Sequence, residues 1–244
     1  MGWNERGDMI LPTVRASFGR RDAVHLVDLL GRHDKELRDS ALARLEEHGL
    51  DALLDDPRLL NALLTEPDVN APPALVFYAL ARQALLEGGI DKPHVADFVA
   101  SLLLGFGQGG RAYHISDSDP AEFHYLVDIM QSLTDAEERR AFLLRSHLGN
   151  FALWLAGLFP DYLEARMRKG GPPIDYYERV GSSGYRMAAE SPQAGTLGVE
   201  QIFVDVSNHF SGVRTALNRI SDRYLWPGSG DPVARLLREI GGRG

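Results

Sequence analysis

The chain has 244 residues, of which 44% are hydrophobic and 25% are charged, a composition typical of a folded globular protein. It contains no cysteine, which excludes disulfides, cysteine zinc sites, iron–sulfur clusters and thiol nucleophiles. Its formal net charge of −8 argues against nucleic acid as a partner, because binding to phosphates rests on clustered Lys and Arg.

The sequence also lacks the pattern of a membrane segment. The most apolar stretch, residues 148–159, is well short of the ~20 residues that cross a bilayer. The first residues show no basic region followed by an apolar run, as a secretory signal would. We therefore expect a soluble, cytoplasmic protein with no membrane partner.

Apolar residues recur at helical spacing along most of the chain, and no segment alternates like a half-buried strand. This pattern predicts an all-α fold, a multi-helix bundle with mixed crossing angles. Because no low-complexity linker divides the chain, we predict one helical domain over residues 1–244. A helical N-terminal subdomain over residues 1–110 is the alternative.

The N-terminal half shows several helical segments. The helix over residues 72–87 is apolar on most sides, which indicates a central position, and Gly88 begins the glycine pair that closes it. The next helix is predicted to be capped by Asp91, opened by Pro93 and stopped at Gly105. Three shorter helices precede these two, over residues 22–32, 35–47 and 57–64.

Two capping boxes predict further helix starts. Asp119 with Glu122, and Thr134 with Glu137, place a side-chain acceptor and a returning carboxylate three residues apart. The second of these helices should run through the apolar stretch and end before Pro160, which cannot continue it.

The chain after Pro160 begins with a short helix that should end at the Gly170–Gly171 pair, with the basic segment 166–169 as its solvated end. A long C-terminal helical region follows, which Ser211–Gly212 could break in two. Its apolar residues alternate steps of four and three and form a seam that needs a partner. We favour a partner helix in the same chain over a second copy. The seam consists of Val199, Phe203, Val206, Phe210, Val213, Leu217, Ile220 and Tyr224.

The segment over residues 105–120 is the longest without a helical pattern. It carries Arg111, Tyr113 and His114. Long polar loops in compact domains are disproportionately functional, so we predict a lid or a partner-binding loop at this segment.

Three more side chains are candidates for a pocket. His147 lies in an apolar helix, where it is either a hydrogen-bonded core residue or a ligand or general base. Tyr177 and Tyr185 flank the small residues 181–184, which allow close approach of another helix or of a flat ligand.

Two pairs of residues have the spacing of metal ligands on one helix face. They are His124 with Asp128, and Asp205 with His209. Four such ligands from two helices could hold Zn, Mn or Fe. Ordinary surface ion pairs are the alternative for each pair.

The adjacent His33 and Asp34 resemble the metal-binding His–Asp pair of the HD phosphohydrolases, which are all-helical enzymes. The resemblance covers these two residues. The pair also falls between two predicted helices, where Asp commonly acts as an N-cap.

Two functions follow from these features. The first is a helical protein–protein interaction or regulatory protein without catalytic activity, with the C-terminal seam and the segment 105–120 as contact surfaces for a protein partner or for self-association. The second is a metal- or cofactor-dependent enzyme in a helical bundle, using His and Asp ligands. The sequence identifies no particular cofactor.

Overall fold

The computed structural model describes residues 9–65, 71–107 and 111–224. These residues form thirteen α-helices and no strand, which confirms the predicted all-α fold. Within these ranges, no helix has the length and apolar character needed to cross a membrane.

The helices follow one another with short connections. The N-terminal half contains α1 (Arg20–Leu30), α2 (Lys35–His48), α3 (Asp51–Leu54), α4 (Pro57–Thr65), α5 (Pro73–Glu87) and α6 (Pro93–Phe106). The C-terminal half contains α7 (Leu126–Ser132), α8 (Glu138–Leu158), α9 (Pro160–Met167), α10 (Ile174–Ala189), α11 (Pro192–Thr196), α12 (Glu200–Asn208) and α13 (Phe210–Tyr224). Two 3-10 turns, Arg15–Ser17 and Arg111–Tyr113, complete the described structure.

The centre of the bundle is α8, which is buried along most of its length. Helices α7, α9, α10 and α13 pack around it, while α5 and α6 pack together and α13 crosses α5. The first four helices form a layer that reaches the bundle through contacts between α4 and α5. Buried apolar side chains form one cluster from Met9 to Ile220. The separate N-terminal subdomain stays a prediction.

Helices α8 and α10 approach each other closely at opposed glycines. A Cβ atom on Gly184 would lie 2.8 Å from the carbonyl oxygen of Arg145 and 3.0 Å from the amide nitrogen of Gly149. A Cβ atom on Gly149 would lie 2.7 Å from the ring of Tyr185. The small residues of α10 therefore serve close helix packing.

We expect the substitution Gly184→Ala to lower the free energy of unfolding. Alanine favours a helix over glycine by about 1 kcal/mol. The added methyl group meets backbone atoms that cannot rotate away, and such overpacking costs about 1–3 kcal/mol. Thermal unfolding should therefore show a Tm several degrees lower. The exposed Ser183→Ala on the same helix is the control, and an equal Tm for the two variants would contradict the prediction.

Arg82 joins the N-terminal layer to the bundle. Its side chain is only 2% exposed. The guanidinium donates to both carboxylate oxygens of Asp55 over 2.6 and 2.8 Å, and to Asp91 over 2.6 Å. One buried cation therefore ties α5 both to the residue that follows α3 and to the turn before α6.

Two predicted helix starts are wrong. Asp119 accepts a hydrogen bond from the amide of Ala121 over 2.9 Å in a local turn, and α7 begins only at Leu126. The start at Thr134 is also wrong, because α8 begins at Glu138 and no side chain caps it. In both places the capping sequence lies several residues before the helix that follows it.

Two details of α6 also differ from the prediction. Asp91 does not cap it, because the N-cap residue is Lys92 and the Asp91 carboxylate is bound by Arg82. The helix continues past Gly105 and ends at Phe106. The cap at Asp34 is present: its carboxylate accepts from the amides of Glu36 and Leu37 at the start of α2. A capping role is therefore sufficient to explain this aspartate.

The C-terminal seam packs within the chain. Seven of its eight residues are buried, and Tyr224 is partly buried. The helices that carry the seam pack against α5, α6, α8 and α10. The break between them lies at His209 and not at Ser211–Gly212, with the His209 amide donating to the Asp205 carbonyl over 3.0 Å. The seam is therefore not available as a contact surface for a partner.

Candidate functional site

The predicted pocket residues lie in different places. Arg111, His114 and His147 line a small cavity of about 10 Å³, close to the minimum for one water molecule. Tyr177 lines a separate groove on the surface. The segment that carries Arg111 is folded onto the bundle, with the ring of Tyr113 lying 6.2 Å from the rings of Phe151 and Trp154 on α8. These residues therefore do not form one pocket.

His147 is a buried member of the aromatic core. Its ring stacks on Phe151 at 5.8 Å between centroids, and its Nε2 atom has no hydrogen-bond partner among the described residues. Burial, followed by the nearby positive charges of Arg111 and His114, lowers the pKa of His147 to about 3. The ring is therefore neutral at physiological pH.

Tyr185 is also a core residue. Its hydroxyl donates to the Asn150 Oδ1 atom over 2.8 Å, and its ring lies 5.4 Å from the ring of Phe203. Burial raises the pKa of its hydroxyl well above the ordinary value. The contacts of Tyr185 thus connect α10 to α8 and α12.

The predicted metal ligands are not brought together. Among the residues with described positions, no three His, Asp or Glu side chains form a group that could hold a metal ion. Asp205 instead accepts from Lys92 Nζ over 3.0 Å and lies 2.7 Å from His94 Nε2, which holds α12 to the start of α6. His124 lies on the surface, with its Nε2 atom 3.4 Å from Glu122. The structure thus gives no support to a shared site of His124, Asp128, Asp205 and His209.

A groove of about 310 Å³ opens where α7, α9 and α10 meet, and α8 contributes Leu155 to it. Three tyrosines, a histidine and an arginine share its lining with aliphatic residues. The lining residues are His124, Tyr125, Leu126, Val127, Leu155, Arg166, Pro172, Tyr176 and Tyr177. We call these residues the aromatic groove.

Large apolar side chains are exposed on the helices that border the aromatic groove, and two of them, Tyr125 and Val127, line it. The described residues include seven exposed large hydrophobic side chains, and five of these seven lie on α7, on α9 or at the N-cap of α7. Exposed apolar clusters of this kind mark interaction sites in folded proteins. The five side chains are Tyr125 (51% exposed), Val127 (48%), Met130 (42%), Tyr162 (51%) and Met167 (46%).

Arg166 is held between two of these tyrosines. Its guanidinium carbon lies 5.2 Å from the ring centroid of Tyr125 and 5.7 Å from that of Tyr162. It also donates to the Tyr162 hydroxyl over 3.4 Å. The ion pairs of the described residues do not include Arg166, whereas Arg168, the C-cap residue of α9, pairs with Glu164 over 3.4 Å. Arg166 thus presents a cation to the groove with aromatic rings as its neighbours.

The chain reverses direction directly after Arg166. The Gly171 amide donates to the Arg166 carbonyl over 2.9 Å, and Gly170 has a φ of 90°, which other residues rarely adopt. The helix was predicted to run to Lys169, but α9 ends at Met167, and the glycine pair lies in the turn that follows. The turn leads to Pro172 and then to α10, which carries Tyr176 and Tyr177. The turn therefore connects Arg166 on one side of the groove to Tyr176 and Tyr177 on the other through a short stretch of chain.

The charges of the groove are unbalanced. Its lining includes Arg166 and His124 but no Asp or Glu. This differs from the chain as a whole, which carries a net charge of −8. Glu122 lies outside the lining, beside His124. An anionic group would therefore enter the groove without meeting a carboxylate in its lining.

Sequence analysis identified two lining residues, Tyr177 and His124, but assigned them to different sites. It missed Tyr125 as a site residue and interpreted Arg166 as part of a solvated helix end. The available signal was α7, where Leu126, Val127, Ile129 and Met130 form an apolar face that is unusually broad for a short helix. A helix of this kind is either fully buried or exposes an apolar face.

Comparisons of the chain with family models, with curated proteins and with solved structures found no match. Function must therefore be inferred from the chemistry of the described residues. The aromatic groove is the surface feature that supports such an inference.

Proposed function

We propose that the chain is a helical protein-interaction or regulatory protein without catalytic activity, and that it binds an apolar segment of a partner protein in the aromatic groove. The observation that carries this proposal is the exposed apolar surface on α7 and α9, in which Tyr125 and Val127 line the groove and Tyr162 packs against its Arg166. Tyr, Met and Arg, which occur together at this surface, are enriched at protein interfaces.

The dimensions of the groove favour a short segment over a folded surface. Its volume of about 310 Å³ is at the lower end of the roughly 300–1,000 Å³ of ligand pockets, which leaves room for a few side chains. Tyrosines supply rigid contact area, and the nearby Met130 supplies an adaptable one. Grooves between helices commonly receive the apolar residues of one helical or extended segment.

We expect Tyr125→Ala to weaken partner binding at least tenfold, because interface tyrosines contribute disproportionately to affinity. The probe is a peptide selected on the purified protein from a displayed random library, and its affinity is measured by fluorescence anisotropy. Tyr125 is half exposed, so the Tm should change little.

The matched control for this substitution is Val24→Ala, which removes an equally exposed apolar side chain on α1. Equal peptide affinity of the wild type and Tyr125→Ala would contradict the proposal. A dimer in light scattering that Tyr125→Ala dissociates would show that a second copy, and not a partner protein, occupies the groove.

A further inference from the structure

We infer that the bound segment presents a carboxylate beside its apolar residues, and that Arg166 is the group that binds this carboxylate. The identity of the ligand as a protein segment rests on the proposed function. The preference for a carboxylate rests on the charge and geometry of the groove.

The first support is charge complementarity. Arg166 and His124 contribute the ionisable nitrogen groups of the lining, and no carboxylate lines the groove with them. A basic residue of a partner would meet the Arg166 cation in surroundings that are largely apolar, where repulsion is screened less than in water. An acidic residue would be attracted to the Arg166 cation more strongly in these surroundings than in water.

The second support is the geometry of Arg166. A guanidinium has five N–H donors in its plane, and the described contacts use one of its nitrogens, for the Tyr162 hydroxyl. The neighbouring rings of Tyr125 and Tyr162 restrict its position, so less side-chain entropy is lost when a ligand binds. A planar carboxylate matches the paired donors of a guanidinium.

A carboxylate fits this site better than a phosphate group. A phosphoryl group carries about −1.5 to −2 charges at neutral pH and is usually recognised by several arginines together. The groove offers one arginine, because Arg168 is paired with Glu164 and does not line it. One guanidinium balances one carboxylate, whereas a phosphate would keep uncompensated charge.

The residues beside Arg166 define the rest of the ligand. Leu126, Val127, Leu155 and Pro172 line the groove with no charge of their own. An aromatic or aliphatic side chain next to the acidic residue would pack against them. The expected ligand is therefore an Asp or Glu followed or preceded by a large apolar residue.

Small probes test this inference without a known partner. We would titrate 3-phenylpropionate, 3-phenylpropionamide and phenyl phosphate into the wild-type protein and follow tyrosine ring signals by NMR. We expect the carboxylate to bind about tenfold more tightly than the amide, as a charge-assisted hydrogen bond predicts. Arg166→Gln should remove this difference, while Arg168→Gln, at the C-cap of the same helix, should retain it.

Three outcomes would overturn the inference: equal binding of acid and amide, a preference that survives in Arg166→Gln, or tighter binding of phenyl phosphate than of phenylpropionate. An absence of binding by the acid also contradicts it. Selected peptides without Asp or Glu would overturn it while the proposed function stands. A carboxylate preference in a protein that selects no peptide supports Arg166 as the anchor and contradicts only the protein partner.

Discussion

Replacing Arg82 by alanine should lower the free energy of unfolding by about 2–5 kcal/mol, because the substitution empties a buried site and removes charged hydrogen bonds. The side chain is almost fully buried, and it carries the charged hydrogen bonds to Asp55 and Asp91. Its removal leaves a cavity under the α5–α6 turn as well as two carboxylates without their cation. Denaturant unfolding followed by circular dichroism measures the loss.

Two variants separate the causes of this effect. Arg82→Met keeps most of the apolar stem of the side chain. Its loss of unfolding free energy should be smaller than that of Arg82→Ala and should report the charged contacts alone. Arg223→Ala removes an exposed ion pair. In this pair Arg223 of α13 lies 2.8 Å from Glu87, which ends α5, the helix that carries Arg82. That loss should stay within about 1 kcal/mol. An Arg82→Ala protein as stable as Arg223→Ala would show that Arg82 does not hold the two layers together.

Acidification should destabilise the protein through His147. The pKa of this residue is about 3 in the folded protein, against an ordinary value of 6.5. Between these values the unfolded chain binds a proton that the folded protein does not bind, so stability falls as the pH is lowered. The loss approaches about 1.4 kcal/mol per pH unit in this window and is absent above it.

The variant His147→Leu isolates this contribution. Because the Nε2 atom has no partner among the described residues, an apolar replacement should cost little at neutral pH. The wild type should then lose stability more steeply than His147→Leu between about pH 6 and pH 4. The exposed His48→Leu serves as the control. Parallel stability curves for the wild type and His147→Leu would contradict the prediction.

A second acid-sensitive group lies outside that pH window. Burial alone would raise the pKa of Asp56, but hydrogen bonds from Arg58 and Arg44 lower it to about 2. The stabilisation from this carboxylate is present above its ordinary pKa of 3.8 and is lost as the pH falls toward 2. Measurements above pH 4 therefore report His147 with little interference from Asp56.

The helices could be predicted because their signals are local. The predicted helix over residues 72–87 matches α5 (Pro73–Glu87) within one residue, since a broad apolar surface and a glycine pair mark it in the sequence. The C-terminal seam was predicted for the same reason, as its spacing follows directly from helix geometry. Its burial within one chain is a tertiary property that spacing does not determine.

Some boundaries could not be predicted because one local signal has two structural outcomes. The Asp119 carboxylate accepts a hydrogen bond from the backbone amide two residues later. Aspartates make this contact in many turns as well as at helix starts. Which outcome occurs depends on where the following residues pack. Here Phe123 returns to the Tyr113 carbonyl, and the helix begins after that contact.

The aromatic groove could be predicted only in part. Tyr177 was identified because tyrosine beside small residues is a local feature, but the exposure of Tyr125 depends on how far α9 and α10 cover α7. In the sequence Arg166 has the features of a solvated charge, because its contacts with the rings of Tyr125 and Tyr162 exist only in the folded protein. A site formed by residues of four helices is not visible in the residue spacing of any single helix.

The residues of the groove and the residues that join the two layers lie in different parts of the sequence. All of its lining residues fall between His124 and Tyr177, whereas Asp55, Arg82 and Asp91, which join the two layers, lie well before that stretch. The proposed recognition surface and the ion pairs that join the two layers are thus encoded in separate parts of the chain. Substitutions at the exposed positions of the groove can therefore alter the proposed partner choice while those ion pairs stay unchanged.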